Sequence, residues 1–199
     1  MRFASSASAP LTLVALLASG SCVPTQRQDV STAATAAAVD AVPPAPLVLA
    51  VHEGERRVRR FGVSAPSFIV KVDRRNGGSG DLMMGYEDLP PGGVIPPHRH
   101  LVADEIIFVH RGSGVVQLGD RRTEFGPGAT IYIPKDVRVT LRNTGAELLS
   151  IAFIFSKPGF EEYLREMSAP EGQPFVPLSE AELAAIRERH RTHTVYERP

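Results

Sequence analysis

The sequence predicts an all-β barrel or sandwich that is followed by two short helices. From Leu47 to Phe155, short apolar runs alternate with turn signals at nearly regular spacing. The 17 Gly and 17 Pro among 199 residues favour many turns and short elements. No part of this region shows the long 3.6-residue periodicity that a βαβ crossover needs, so a parallel sheet is disfavoured.

Eight candidate strands are predicted in this region, each next to a turn signal. Gly-rich segments such as Asn76–Gly80 and Gly126–Gly128 supply the turns. The predicted strands are Leu47–Val51, Ser67–Val72, Leu82–Tyr86, Glu105–His110, Val115–Leu118, Thr130–Ile133, Val137–Leu141 and Leu148–Phe155.

The segment after the strands changes character and predicts two helices. Phe160, Tyr163 and Met167 recur at helical spacing, and Ser179 with Glu182 forms a capping box ahead of a second apolar stripe. These stripes would pack on the barrel or on a second subunit.

The first residues have the layout of a secretory signal. Arg2 precedes a short apolar run, Leu11–Leu17, and small residues lead to the single cysteine, Cys22. This arrangement resembles the lipobox of bacterial lipoproteins and implies a lipid anchor at Cys22. The alternative is ordinary cleavage after Gly20, which would leave a soluble periplasmic protein. Either way we expect an exported protein in the periplasm or on the outer membrane or cell surface.

Four segments follow from these patterns. Residues 1–21 form the signal peptide, and residues 22–46, rich in Ala, Thr and Pro, form a disordered tether because they cannot bury enough surface to offset their ordering entropy. Residues 47–157 form the barrel, and residues 158–199 form a C-terminal helical extension.

Charge and cysteine content exclude several functions. The chain has 22 Lys plus Arg and 22 Asp plus Glu, so we expect no binding of nucleic acid by bulk electrostatics. The single Cys excludes an intrachain disulfide and a CxxC metal or redox site. The Arg56–Arg60 run could indicate an anionic partner, but a compositional bias of 19 Arg against 3 Lys explains it about as well.

The chemistry is concentrated around one histidine pair. In an extended segment His98 and His100 point to the same side, and Glu105 follows at the start of the next strand. Pro96 and Pro97 keep the preceding backbone extended. Two His and one carboxylate can bind a divalent metal on one face and leave positions for water, oxygen or substrate.

These residues resemble the first motif of the cupin superfamily, which is a Gly, His-x-His, Glu and Gly in fixed spacing. Every position of that motif matches, so the resemblance implies a cupin double-stranded β-helix, or jelly-roll barrel. The matching residues are Gly92, His98, His100, Glu105 and Gly112.

The second cupin motif matches only in part. Gly128, Pro134 and Asn143 are in register, whereas Asp136 replaces the family's Gly and Val139 replaces its His. Alternation along Val137–Leu141 independently predicts that Val139 faces inward. A metal here would therefore have three protein ligands.

The resemblance implies a small single-domain bacterial cupin, quercetin-dioxygenase-like, that acts on a small organic molecule with Fe, Mn, Ni, Cu or Zn. Glu105 would be a ligand and a candidate acid or base. The alternative is a non-catalytic cupin that binds a small ligand or a partner at a degenerate metal site, as Val139 indicates. The resemblance is also compatible with a homodimer.

The other titratable residues near the motif are expected to be structural. Asp104 should face away from Glu105, solvated or paired with an Arg, and His110 should also lie on the opposite face. His52, His190 and His193 lie outside the motifs.

Overall fold

The computed structural model describes residues 43–61 and 67–197. The predicted signal peptide, Cys22 and most of the predicted tether lie outside these residues and stay predictions. Within the described ranges, no helix is long and apolar enough to span a membrane.

The described residues form twelve strands and two helices. The strands are β1 Glu55–Arg59, β2 Ser67–Val72, β3 Met83–Leu89, β4 Val94–His100, β5 Glu105–Arg111, β6 Gly114–Leu118, β7 Arg121–Phe125, β8 Thr130–Ile133, β9 Val139–Asn143, β10 Leu149–Phe155, β11 Ser168–Pro170 and β12 Thr194–Tyr196. The helices are α1 Phe160–Glu166 and α2 Glu180–Arg189.

The strands pair into two antiparallel sheets. The larger has the order β11-β1-β2-β3-β10-β5-β8, and the smaller has the order β12-β4-β9-β6-β7. Strands that are neighbours in space are often distant in sequence, as in β5 and β10. The predicted all-β class with two C-terminal helices is confirmed, and the two sheets are consistent with a double-stranded β-helix.

Alternating side chains build the core between the sheets. In β5 the side chains of Ile107 and Val109 are buried, whereas those of Ile106 and Phe108, which alternate with them, are exposed. Burying each inner aliphatic side chain contributes about 1.5–3 kcal/mol. The turn after β5 requires glycine, because Gly112 has a φ of 84° and a Cβ there would lie 2.6 Å from the carbonyl oxygen of Leu148.

One predicted strand is wrong, and five observed strands are absent from the predicted set, although the backbone at His98 and His100 was predicted to be extended. They are β1, β4, β7, β11 and β12. Leu47–Val51 lies in a loop, where the Lys71 ammonium donates to the carbonyls of Ala50 and Glu53 at 2.5 and 2.6 Å. β1 and β7 are rich in Arg and lack apolar alternation, so their sequences give no strand signal. Pairing with their neighbours makes them strands.

The C-terminal segment does more than add helices. The Ser179 capping box is present, and Tyr163 and Leu164 of α1 and Ile186 of α2 are buried in the barrel core. β11 adds to β1, and β12 adds to β4 opposite the histidine pair. The sequence did not predict these two short strands.

Candidate metal centre

β4 and β5 bring the three predicted ligands together at one point inside the barrel. His98 and His100 lie on the same face of β4, and Glu105 is the first residue of β5. Their exposed fractions are 5%, 4% and 6%. One donor atom from each residue lies within 4.8 Å of the others. The predicted geometry is therefore present.

Hydrogen bonds fix the outer nitrogen of both imidazoles. His98 Nδ1 lies 2.7 Å from the carbonyl oxygen of Pro96, which can only accept, so Nδ1 carries the proton and Nε2 has a free lone pair. The two Nε2 atoms are hydrogen-bonded at 3.0 Å, so His100 Nε2 donates to the lone pair of His98 Nε2. His100 Nδ1, 3.0 Å from the Thr194 hydroxyl oxygen, then accepts from that hydroxyl. The inner nitrogens of both rings face one point.

Burial controls the charge of these groups. Burial, and to a lesser degree His98, lowers the pKa of His100 to about 2, and burial also lowers the pKa of His98. Both imidazoles are neutral at neutral pH, as metal ligands must be. Burial, together with the nearby Glu87 carboxylate, raises the pKa of Glu105 to about 8.

The donor set fits a divalent cation. Glu105 Oε2 is buried without a hydrogen bond from any described residue, 3.5 Å from His100 Nε2. A buried carboxyl oxygen without a partner is costly unless a cation or a proton compensates it. Two neutral imidazoles and one carboxylate would hold such an ion and leave further positions open.

Val139 occupies the position that the sequence assigned to it. It is 1% exposed, pairs with His98 across β4 and β9 and lines the same cavity. The other departure, Asp136, keeps a φ of 64°, a left-handed conformation that Asp tolerates better than most residues. The matching Asn143 is structural, because its amide donates to the carbonyls of Leu89 and Glu147 at 2.9 and 2.7 Å.

The cavity next to the three candidate ligands has a volume of about 280 Å³ and a mostly apolar wall. Arg59 and Glu87 form a two-pronged ion pair in this wall, with N–O distances of 2.6 and 2.8 Å. Sequence reasoning missed both. The Arg56–Arg60 run gave no signal for Arg59, because only the pairing of β1 with β2 and β11 makes it a strand.

Residues of the C-terminal segment complete the cavity. The Tyr196 ring stacks on His98 with centroids 5.3 Å apart, and Phe155 and Phe160 contact His100 edge-on. Tyr196 comes from β12, a three-residue strand too short to be found from its pattern. Its neighbour Thr194, which bonds His100, was missed for the same reason.

The remaining candidates lie away from the cluster. Asp104 was predicted to be solvated or paired with an Arg. In the structure its side chain accepts a hydrogen bond from the backbone N–H of Lys135. His110 bonds the Tyr86 hydroxyl at 3.0 Å on the outer face, and His190 pairs with Glu166. These residues have structural partners.

Residues 85–155 match the protein-family model described as "Cupin domain". The match runs from within β3 to the end of β10 and includes His98, His100 and Glu105. Together with the two-sheet fold it supports the assignment of this part of the chain to the cupin superfamily.

Curated relatives match over part of their length. The chain is 39% identical to "Protein SchB" of Streptomyces halstedii over 31% of this chain and 45% of that protein. It is 29% identical to "Auxin-binding protein 1" of Arabidopsis thaliana, over 45% of this chain and 49% of that protein. It is 32% identical to "Dimethylsulfoniopropionate lyase DddW" of Ruegeria pomeroyi, over 41% of this chain and 52% of that protein. The chain thus spans about half the length of the curated relatives it matches.

A solved structure supports the fold. The crystal structure of a "predicted oxalate decarboxylase" from Thermotoga maritima matches with a TM-score of 0.50 and 18% identity. The match covers 56% of this chain and 100% of that one. At this identity the likeness concerns the fold alone.

Proposed function

We propose that the chain is a metal-dependent enzyme that acts on a small organic molecule inside the barrel, with dioxygenase-like chemistry. The carrying observation is that His98, His100 and Glu105 place one donor atom each within 4.8 Å while Glu105 Oε2 has no other described partner. Two His and one carboxylate with open positions are typical of non-haem iron oxygenases. The matched relatives named as a lyase and as an auxin-binding protein do not point to one common reaction.

The chain's own residues prepare this site. The Pro96 carbonyl and the Thr194 hydroxyl hold the two imidazoles with their Nε2 atoms inward. Near neutral pH Glu105 keeps its proton in the ion-free site, and cation binding displaces it. The same carboxyl group is the candidate for passing a proton to or from a substrate. When bound, a divalent ion supplies Lewis-acid chemistry beside the open positions.

The apolar wall limits what enters and excludes water. Side chains such as Leu141, Ile151 and Phe153 surround the space next to the ligands. A dry wall strengthens the electrostatic interactions of any polar group that a substrate brings near the cluster.

Elemental analysis of protein purified without chelators tests the proposal. We expect about one Fe, Mn, Ni, Cu or Zn ion per chain in the wild type and none in the His98→Ala/His100→Ala variant. A matched His52→Ala/His110→Ala variant removes two histidines outside the cluster and should keep the ion. Absence of stoichiometric metal in the wild type, or equal content in the first variant, would refute the proposal.

Val139 favours a second candidate, a non-catalytic cupin that holds a small ligand at a degenerate site. Its side chain fills the position facing His98 and cannot coordinate. The Val139→His variant separates the two. Activity that appears only in this variant supports the degenerate site, whereas metal-dependent turnover in the wild type excludes it. Thr140→His, on the other face of β9, is the control.

We further propose export to the cell envelope, on the basis of the signal-like pattern of residues 1–21 and the position of Cys22. Palmitate labelling that is lost in Cys22→Ser would support the lipid anchor. The homodimer stays a prediction, which light scattering tests.

A further inference from the structure

Arg187 of α2 reaches the cavity wall without a carboxylate partner. It lines the cavity, and its Nε is buried without a hydrogen bond to any part of the chain that the structure describes. Among the described residues it forms no ion pair, in contrast to Arg59, which pairs with Glu87. A buried guanidinium nitrogen without a partner is costly unless a bound group supplies an acceptor.

Local packing holds Arg187 in this place. The capping box of Ser179 fixes the start of α2, and Ile186 is buried next to Arg187. The guanidinium carbon lies over the Tyr196 ring, 4.8 Å from its centroid, and that ring stacks on His98. One aromatic ring therefore contacts both Arg187 and His98 of the metal cluster, and both residues line the same cavity.

The charges of the cavity favour an anion. Arg59 and Glu87 neutralise each other, and Tyr196 keeps its proton because burial, then Tyr163, raises its pKa. Arg187 remains as an unbalanced positive charge in the wall. A divalent ion held by two neutral imidazoles and one carboxylate would add a second net positive charge to the cavity.

We propose that the cavity binds a small organic carboxylate, with the carboxylate on the Arg187 guanidinium and the apolar body against Leu141, Ile151 and Phe153. The planar fork of Arg matches two carboxylate oxygens in a bidentate pair. The apolar wall selects against small inorganic anions, which would gain nothing from it. Only the reaction at the metal end rests on the proposed function, since Arg187 can bind the carboxylate without the ion.

Calorimetric titration with phenylacetate and its neutral amide, phenylacetamide, tests the proposal. We expect the wild type to bind the acid about 10- to 100-fold more tightly than the amide, the range that a charged hydrogen bond gives. Arg187→Met should remove this preference, and Arg187→Lys should keep part of it. Arg189→Met, on the same helix but paired with Glu166 at the surface, should keep all of it.

Each titration is done with chelator-treated and with zinc-loaded protein, so that the two proposals fail separately. A preference for the acid that appears in chelator-treated wild type and is lost in Arg187→Met supports the carboxylate site even if no ion is ever bound. Equal affinity for acid and amide, no binding of the acid at millimolar concentration, or an unchanged preference in Arg187→Met would overturn it. The wild-type comparison needs no variant, so it decides even if Arg187→Met does not fold.

Discussion

Two buried polar clusters of this chain differ in how their charges are compensated. In the metal cluster of His98, His100 and Glu105, Oε2 of Glu105 has neither a hydrogen bond nor an Arg or Lys beside it among the described residues. In the second, which we call the Arg165 cluster, the Arg165 guanidinium pairs with Asp73 at 2.5 Å and also with Glu55. Asp73 is fully buried, and its other oxygen accepts two backbone N–H groups at 2.9 and 2.8 Å.

The pKa values follow the same difference. Burial raises the pKa of Glu55, but Arg165 and Arg57 outweigh it, so the pKa lies below its usual value. No cation among residues 43–61 and 67–197 lowers the pKa of Glu105 in this way, and that pKa is raised. Removal of one partner from a compensated cluster destabilises the fold, whereas an uncompensated group itself costs stability and is typical of a functional site. Three variants test this comparison, from the largest expected effect to the smallest.

Arg165→Met should lower the free energy of unfolding by about 3–5 kcal/mol, because it leaves the buried Asp73 carboxylate without its cation. Denaturant titration measures this. Arg191→Met removes an exposed pair with Glu188 and should change stability by less than about 0.5 kcal/mol. Equal small effects in both variants would show that the Arg165 cluster is not a structural element.

Glu105→Met should change the stability of metal-free protein in the opposite direction. It should raise the free energy of unfolding by about 1–3 kcal/mol, because it removes a buried acid that has no partner. The wild-type pKa is raised from 4.5 to about 8, so the proton favours the folded state. That contribution is present below pH 4.5 and is lost as the pH rises to about 8. The advantage of the variant should therefore grow over this interval. Denaturation at several pH values checks it, and a less stable variant throughout would contradict the comparison.

Thr194→Val should weaken metal binding about 10- to 100-fold, because it removes the hydroxyl that orients His100 while keeping the side-chain shape. Competition with a metal-sensitive dye measures the affinity. Thr192 lies two residues earlier, and its side chain is exposed. The Thr192→Val control should therefore leave the metal affinity unchanged. The same affinity in both variants would mean that β12 does not position the ligand.

Local spacing was enough to predict the metal cluster. His98 and His100 are two residues apart on one strand, so their shared face follows from the pleat, and Val139 was placed inward by the same alternation. The candidate strand Leu47–Val51 failed because a short apolar run says nothing about its pairing partner. The Arg-rich strands β1 and β7 were missed because their partners, rather than their own side chains, make them strands.

The sequence by itself determined the β class and which residues form the His98, His100 and Glu105 cluster, because both depend on residues close together in the chain. Only the tertiary structure decided the rest of the cavity. Arg59, Glu87, Arg187 and Tyr196 come from separate segments and meet through long-range strand pairing and helix docking. Their role follows from their neighbours in space, which chain spacing does not encode.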